Sequence, residues 1–234
     1  MKNLNKSHQQ ISKMFDQIAP KYDFLNHLLS FNIDKIWRRK LRKICQKYPI
    51  TNILDIATGT GDLAIELSKI NNLKITGIDI STKMLDIAKK KIAKKNKTSQ
   101  IDLILANSSN LPFADNSFDA ATCAFGVRNF ENLNSALTEI FRVIKNDGLL
   151  IILEFTIPQK KIFSSLFKFY FKKILPIIGK IISKNSTAYN YLPDSVLQFP
   201  QNKQFMKILE QNLFKPIKNI SLSQGIASIY IAKK

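Results

Sequence analysis

Cysteine and histidine are nearly absent: Cys45, Cys123, His8 and His27 are the whole supply of thiols and imidazoles in 234 residues. They show no ligand spacing, so neither a disulfide framework nor a metal site is expected. No stretch of about 18 residues is apolar and free of charge, which excludes an obvious membrane-spanning helix. The opening MKNLNKSHQQISKMFDQ lacks the apolar core of a signal peptide, leaving the cytoplasm as the default location. Acidic residues are scarce as well, 17 against 36 Lys and Arg, for a net charge of +19. Such an excess raises the question of nucleic acid. Against it, 31 of the 36 basic residues are lysine in a chain also rich in Asn and Ile, a bias that AT-rich codons produce without any partner. Lysines 89, 90, 91, 94, 95 and 97 read as the solvated face of one helix. Cys123 lacks the preceding proline of a cytosine C5 nucleophile, and no Asn-Pro-Pro-aromatic tetrapeptide occurs. Nucleic acid is therefore not the expected partner, and RNA stays open as the alternative.

With 45% hydrophobic residues, the chain can bury one full core. An N-terminal helical region over about 8–48 precedes strands expected at 52–57, 74–79, 101–106, 118–125 and 148–156. Helices are expected between them at about 62–70, 82–95 and 131–145, the last with Leu133, Leu137, Ile140, Phe141 and Ile144 at helical spacing. Alternating strands and helices imply an α/β fold with a doubly wound, mostly parallel sheet. The final FKPIKNISLSQGIASIYIAKK reads as two strands around Ser223, Gln224 and Gly225, a hairpin that closes the sheet with an antiparallel strand. The organisation expected is a helical extension or lid over 1–50 and a catalytic domain over 51–234, carrying a basic aromatic insertion at about 159–199.

Glycine is rare, seven residues in all, yet two fall within ILDIATGTGDLAIEL. Asp55, Thr58, Gly59, Thr60 and Gly61 lie between a buried strand and a helix, where glycine lets the backbone approach a ligand and the helix offers free amide N–H groups. The next strand ends on Asp79, 18 residues after Gly61, where an open α/β sheet presents a carboxylate to a ribose. Gly59, Gly61 and Ala64 also fit the dinucleotide fingerprint, so nicotinamide cofactors and S-adenosylmethionine compete. Asp55 favours the second, because a carboxylate there suits a cationic amino-acid end and repels a pyrophosphate. Asn107 and Ser108, ending the third strand, can read an adenine edge or simply cap a turn before Pro112. The chain has no second domain for a hydride acceptor, and its only Tyr-x-x-x-Lys is Tyr230–Lys234 at the tail.

DIATGTGD, GIDISTKML, LPFADNSFD and FGVRNFENL, in this order, resemble class I S-adenosylmethionine-dependent methyltransferases, and specifically the quinone-biosynthesis C-methyltransferases of the menaquinone and ubiquinone pathways. MFDQIAPKYDFLNHLLSFNIDKIWRR upstream, and EFTIP and YNYLPDSVLQFPQNKQF downstream, resemble further signatures of that family. The resemblance implies a Rossmann-like, seven-stranded sheet and transfer of a methyl group from S-adenosylmethionine to a ring carbon of a polyprenyl quinol, demethylmenaquinol above all. It implies a cofactor site of Thr60, Asp79, Asn107 and Ser108. Thr58 stands where the family commonly has Gly, and Ala124 where it often has Ser. A homodimer is compatible with it. RNA, or another small acceptor, stays open as the alternative substrate of such a methyl-transferring enzyme.

A quinol carbon becomes nucleophilic when its hydroxyl ionises, and phenols titrate near about 10. Arg128 in GVRN is expected to favour the phenolate, with Asn129 orienting a hydroxyl or water; the alternative for Arg128 is a salt bridge with Glu131. Tyr22, Asp23 and His27 are weaker candidates for lining the site or moving a proton. Residues 159–184 hold seven lysines, five aromatics and no acid. As a helix broken near Pro176, they would set Phe163, Phe167 and Tyr170 on an apolar side, away from Lys161, Lys168 and Lys172. Such a helix suits an anionic membrane surface or a cap over the site.

Overall fold

The computed structural model describes residues 7–30, 32–169 and 186–234. Seven strands form one sheet: β1 (Asn52–Ile56), β2 (Lys74–Asp79), β3 (Ile101–Leu105), β4 (Phe118–Ala124), β5 (Ile144–Phe155), β6 (Lys215–Leu222) and β7 (Ala227–Lys233). Their order is β3-β2-β1-β4-β5-β7-β6. β1 to β5 run parallel, and β7 is antiparallel to both β5 and β6. The expected hairpin turns at Ser223–Gly225, where Gln224 and Gly225 have φ 59° and 96°. Strand order reverses between β1 and β4, and a crevice outside the carboxyl ends of such strands is where open α/β sheets bind ligands.

The helices are α1 (His8–Leu29), α2 (Ile33–Cys45), α3 (Asp62–Leu67), α4 (Thr82–Lys94), α5 (Leu133–Val143), α6 (Lys161–Phe169), α7 (Ser186–Gln198) and α8 (Lys203–Gln211). The N-terminal helical region is two helices, parted at Asn32, whose φ of 60° no helix continues through. α4 starts where Ser81 Oγ accepts Met84 N, and α5 where Asn132 Oδ1 accepts Ser135 N, both ordinary N-caps. α3 stops at Leu67, shorter than expected, because Lys69 and Ile70 close three-residue turns onto Glu66 and Leu67. α5 also stops early. Ile144 fits its helical spacing but is fully buried opposite Phe118, so the sheet claims it and β5 begins there rather than at 148.

Alternation along the strands divides the core. Ile53, Ile75 and Ile151 face α2, α3 and α4, while Leu54, Ile78 and Ile152 face α5 and α8. A third, smaller cluster joins Ile18 and Ala19 of α1 to Met84, Phe167 and Val196, so α1 lies as a roof over the carboxyl ends of the strands. Phe167 is buried in it, while Phe163, one turn earlier on the same side of α6, is 40% exposed. Tyr170, Lys172, Lys173, Pro176 and the Lys168 side chain lie outside the described residues. Among the described residues, no helix is long and apolar enough to cross a membrane.

The loops after β1 and β4 touch. A Cβ on Gly126 would stand 2.5 Å from Ala57 Cβ and 2.9 Å from Cys123 Sγ. Ala57 and Phe125, on either side of this contact, hold φ of 53° and 60°, strain of the kind that collects at functional sites. Gly126→Ala is expected to cost about 1–3 kcal/mol as an overpacking change. Denaturant unfolding checks this, and an unchanged midpoint would contradict the contact.

Candidate active site

Asp55, next to last in β1, is almost fully buried, and its two oxygens accept from Thr58 Oγ1 at 2.6 Å and Thr122 Oγ1 at 2.9 Å. Thr58 thus provides a hydroxyl that a glycine would not. Asp79 ends β2, also buried, and accepts from Gly59 N at 2.8 Å and Ser81 N at 2.9 Å. Burial pushes each carboxyl up to about 6 against these hydrogen bonds, and the Asp79 charge adds to the rise at Asp55. Gly61, at φ 82°, opens α3 with its α-carbon against Ala88, where a Cβ would meet Ala88 Cβ at 3.2 Å.

Two adjoining cavities open from this loop. The larger, about 720 Å³ with open solvent at its mouth included, is lined by Asp79, Met84, Asn107 and Ser108 and also by Ile11, Phe15, Asn129 and Phe130. The smaller, about 360 Å³, is polar and holds Arg38, Asp55, Thr58, Thr60 and Asp62. Tyr22, Gly59, Ala124 and Phe125 line both. Asn107 Oδ1 caps its turn by accepting Ser109 N at 2.9 Å, and the residue also lines the larger cavity.

The roof is fastened by charge. Thr60 Oγ1 donates to Asp23 of α1, and Lys91 of α4 pairs with both Asp23 and Asp62. Arg38 of α2 pairs with Asp34 and lies 3.6 Å from Asp62. Burial raises the Asp34 and Asp62 carboxyls, but Arg38, joined at Asp62 by Lys91, outweighs it and holds both below the usual carboxylate range. His27 bridges the same two carboxylates, Nδ1 2.9 Å from Asp34 and Nε2 3.5 Å from Asp62. His27 therefore belongs to the fastening and lines neither cavity. Ser12 Oγ donates to Ile80 O, and Asp16 accepts from Ser81 Oγ and Lys83 N, so α1 also grips the β2–α4 turn. Arg38 was not singled out in the sequence and Lys91 was read there as part of a solvated helix face, because nothing local marks a long-range ion pair.

Arg128 is not exposed to either cavity. Its guanidinium donates to Glu154 Oε1 at 2.7 Å, to the Phe125 carbonyl and to Ser195 Oγ at 3.3 Å, and it stacks 5.6 Å from the Phe155 ring centre. Glu154, fully buried, is its partner rather than Glu131, which instead accepts His8 N at 3.0 Å. The expectation of a free cation at Arg128 is revised accordingly: its charge is balanced at contact distance. Removing either partner would leave a buried charge, a change worth about 3–5 kcal/mol. Asn129, next in the chain, lines the larger cavity, and its Oδ1 accepts from Tyr191 of α7 at 3.1 Å.

The sequence matches the family described as "ubiE/COQ5 methyltransferase family" over residues 2–234. It is 44% identical over 236 residues to the "Ubiquinone/menaquinone biosynthesis C-methyltransferase UbiE" of Geotalea daltonii, with 100% of each chain covered. It is 40% identical to the "Demethylmenaquinone methyltransferase" of Bacteroides fragilis, over 99% of this chain and 95% of that one. Among solved structures, the [4+2]-cyclase SpnF superposes with a TM-score of 0.72 at 17% identity, covering 97% of this chain and 95% of that one. A putative S-adenosylmethionine-dependent methyltransferase from Methanococcus maripaludis gives 0.65 at 23%, covering 94% of each. These structural likenesses establish the fold, and the first shows that the fold alone does not fix the reaction. Agreement of the full-length match with the motifs at the loop, at GVRN and upstream in KIWRR shows that this chain belongs to the ubiE/COQ5 methyltransferase family.

Proposed function

We propose that this chain transfers a methyl group from S-adenosylmethionine to a ring carbon of a polyprenylated quinol, demethylmenaquinol giving menaquinol. The names of its full-length relatives support the reaction. The observation that carries the assignment to these residues is the pairing of a polar chamber holding Asp55 and Arg38 with a larger, partly apolar one lined by Asp79, Asn107 and Ser108. In this reading Asp55 faces an ammonium and Arg38 a carboxylate. Thr58, Gly59, Thr60 and Gly61 shape the loop between, Asp79 accepts from the ribose hydroxyls, and Asn107 and Ser108 meet the adenine. Ile11, Phe15 and Phe130 then shelter the quinol ring.

S-adenosylmethionine supplies, when bound, a methyl already activated on a sulfonium, so the chain's main task is to align the acceptor carbon and exclude water. α1 does the second by roofing the cavity. For the first, Asn129 faces the acceptor's oxygen as a hydrogen-bond donor, stabilising charge as that hydroxyl ionises. Tyr22, at the junction of the two chambers, lies against the transfer path. Arg128, held by Glu154, fixes the turn that carries Asn129. The ring carbon gains the methyl and loses its hydrogen as a proton, restoring aromaticity. Labelled S-adenosylmethionine with short-chain demethylmenaquinol is expected to give ring-methylated product, and the oxidised quinone none. A folded, cofactor-binding protein inactive on the quinol would overturn the reaction.

Asp79→Ala is expected to weaken cofactor binding by about 1.5–3 kcal/mol, the range for a charged hydrogen bond, without unfolding the chain. Titration calorimetry reads it, and unchanged affinity would remove Asp79 from the site.

The same reading places the enzyme at a membrane, where a polyprenyl tail resides. Exposed Phe163 and Phe169 beside exposed Lys160 and Lys161 on and before α6 support contact with an anionic bilayer. Co-sedimentation with anionic vesicles is expected to decline as salt rises, since screening acts within about 8 Å at physiological strength, and to decline when Lys160 and Lys161 are neutralised. Equal binding to neutral vesicles would contradict this.

A further inference from the structure

Asn129 and α7 are far apart in the chain but adjacent at the cavity wall. The Tyr191 hydroxyl lies 3.1 Å from Asn129 Oδ1 and has no other acceptor among the described residues. One helical turn further along α7, Ser195 accepts from the Arg128 side chain and donates to Leu192 O, so both ends of the Arg128–Asn129 pair are held by one helix. The Asn129 amide nitrogen has no protein acceptor among the described residues, and no buried side-chain nitrogen or oxygen is left without a partner. That nitrogen is therefore accessible, on a residue that lines the cavity.

An amide presents either two donors or an acceptor, and which one faces the cavity decides its effect. N–H groups stabilise negative charge developing on an acceptor oxygen, whereas a carbonyl oxygen there repels it. We propose that Tyr191 is a positioning residue: by donating to Oδ1 it holds the Asn129 amide with its nitrogen toward the acceptor oxygen of the substrate. The inference rests on the quinol reading above and adds to it a residue from the helix that follows the basic aromatic stretch. Tyr191 suits the role because it can only be relied on to donate if it stays protonated. Burial pushes its phenol up to about 12, with Glu154 adding to the rise and Arg128 opposing it. Were the hydroxyl instead to accept from the amide nitrogen, its own proton would have no protein partner among the described residues in a partly buried setting, a loss that the donor arrangement avoids.

A double-mutant cycle separates this from a packing role. Wild type is scored first for methyl transfer to short-chain demethylmenaquinol; an inactive wild type would overturn the reaction on which the proposal rests, independently of Tyr191. In the active enzyme, Asn129→Ala is expected to lower kcat about 100-fold, as for loss of an oxyanion donor. Tyr191→Phe is expected to lower it about 10-fold, because the amide then divides its time between two orientations, with the quinol KM and cofactor Kd within about 2-fold of wild type. In the Asn129→Ala background, Tyr191→Phe is expected to change kcat by less than about 2-fold. Asn129→Ser serves in the same cycle if the alanine variant does not fold. A 10-fold loss from Tyr191→Phe in both backgrounds, or no loss in the wild-type background, would overturn the proposal. Melting temperatures measured in parallel identify a loss that comes from unfolding alone.

Discussion

Two carboxylates, Asp55 and Asp79, are buried at the carboxyl ends of neighbouring strands with only neutral donors against their oxygens. Burying a charge without a contact cation is costly, and each group answers by titrating near 6 rather than near 4. Because the folded pKa is raised, their contribution to stability is fully present below about pH 4 and is lost as pH rises through about 6. The fold thus carries a penalty at neutral pH that a cationic ligand with hydroxyls to donate relieves. Asp34 and Asp62 behave oppositely. Arg38 holds them low, so they stabilise the fold above the ordinary carboxylate range and that support fades as pH falls.

The rest of the architecture keeps this pair of carboxylates dry and aimed. The sheet brings the loops after β1 and β4 into contact at Gly126, while α1 and α2 are fastened over them by Asp23, Arg38 and Lys91. Trp37 Nε1 donates to Ser223 Oγ at 2.9 Å, which ties α2 to the C-terminal hairpin turn as well. The N-terminal helices are therefore part of the cavity wall. On the opposite wall the Arg128–Glu154 pair serves geometry more than charge, fixing a turn between the Phe125 carbonyl and α7.

Much of this is legible in the sequence because it is local. The alternation of strands and helices, the glycine loop, Asp55 and Asp79 at strand ends, and the C-terminal hairpin are all short-range patterns, and the sheet realises each of them. Ile144 is the instructive failure, since helical spacing and strand burial both accept it and only its partner Phe118 decides. Arg128 fails for a related reason: a cation beside a cavity in sequence terms is neutralised by Glu154, 26 residues on, which nothing near it announces. The roles of Arg38, Lys91 and Tyr191 were invisible on the same ground, being exercised through contacts made across the fold. Thr58 reads in sequence as a mere small-residue substitute, although its hydroxyl is one of two that solvate Asp55.

That two dehydrated carboxylates await a cation is tested by calorimetry of S-adenosylmethionine binding at pH 6 in two buffers of different protonation enthalpy. Ionisation of groups titrating near 6 must release protons on binding a ligand whose ammonium is already charged at that pH, so the heat is predicted to depend on the buffer at pH 6. Binding heats at pH 6 that are the same in both buffers would contradict it.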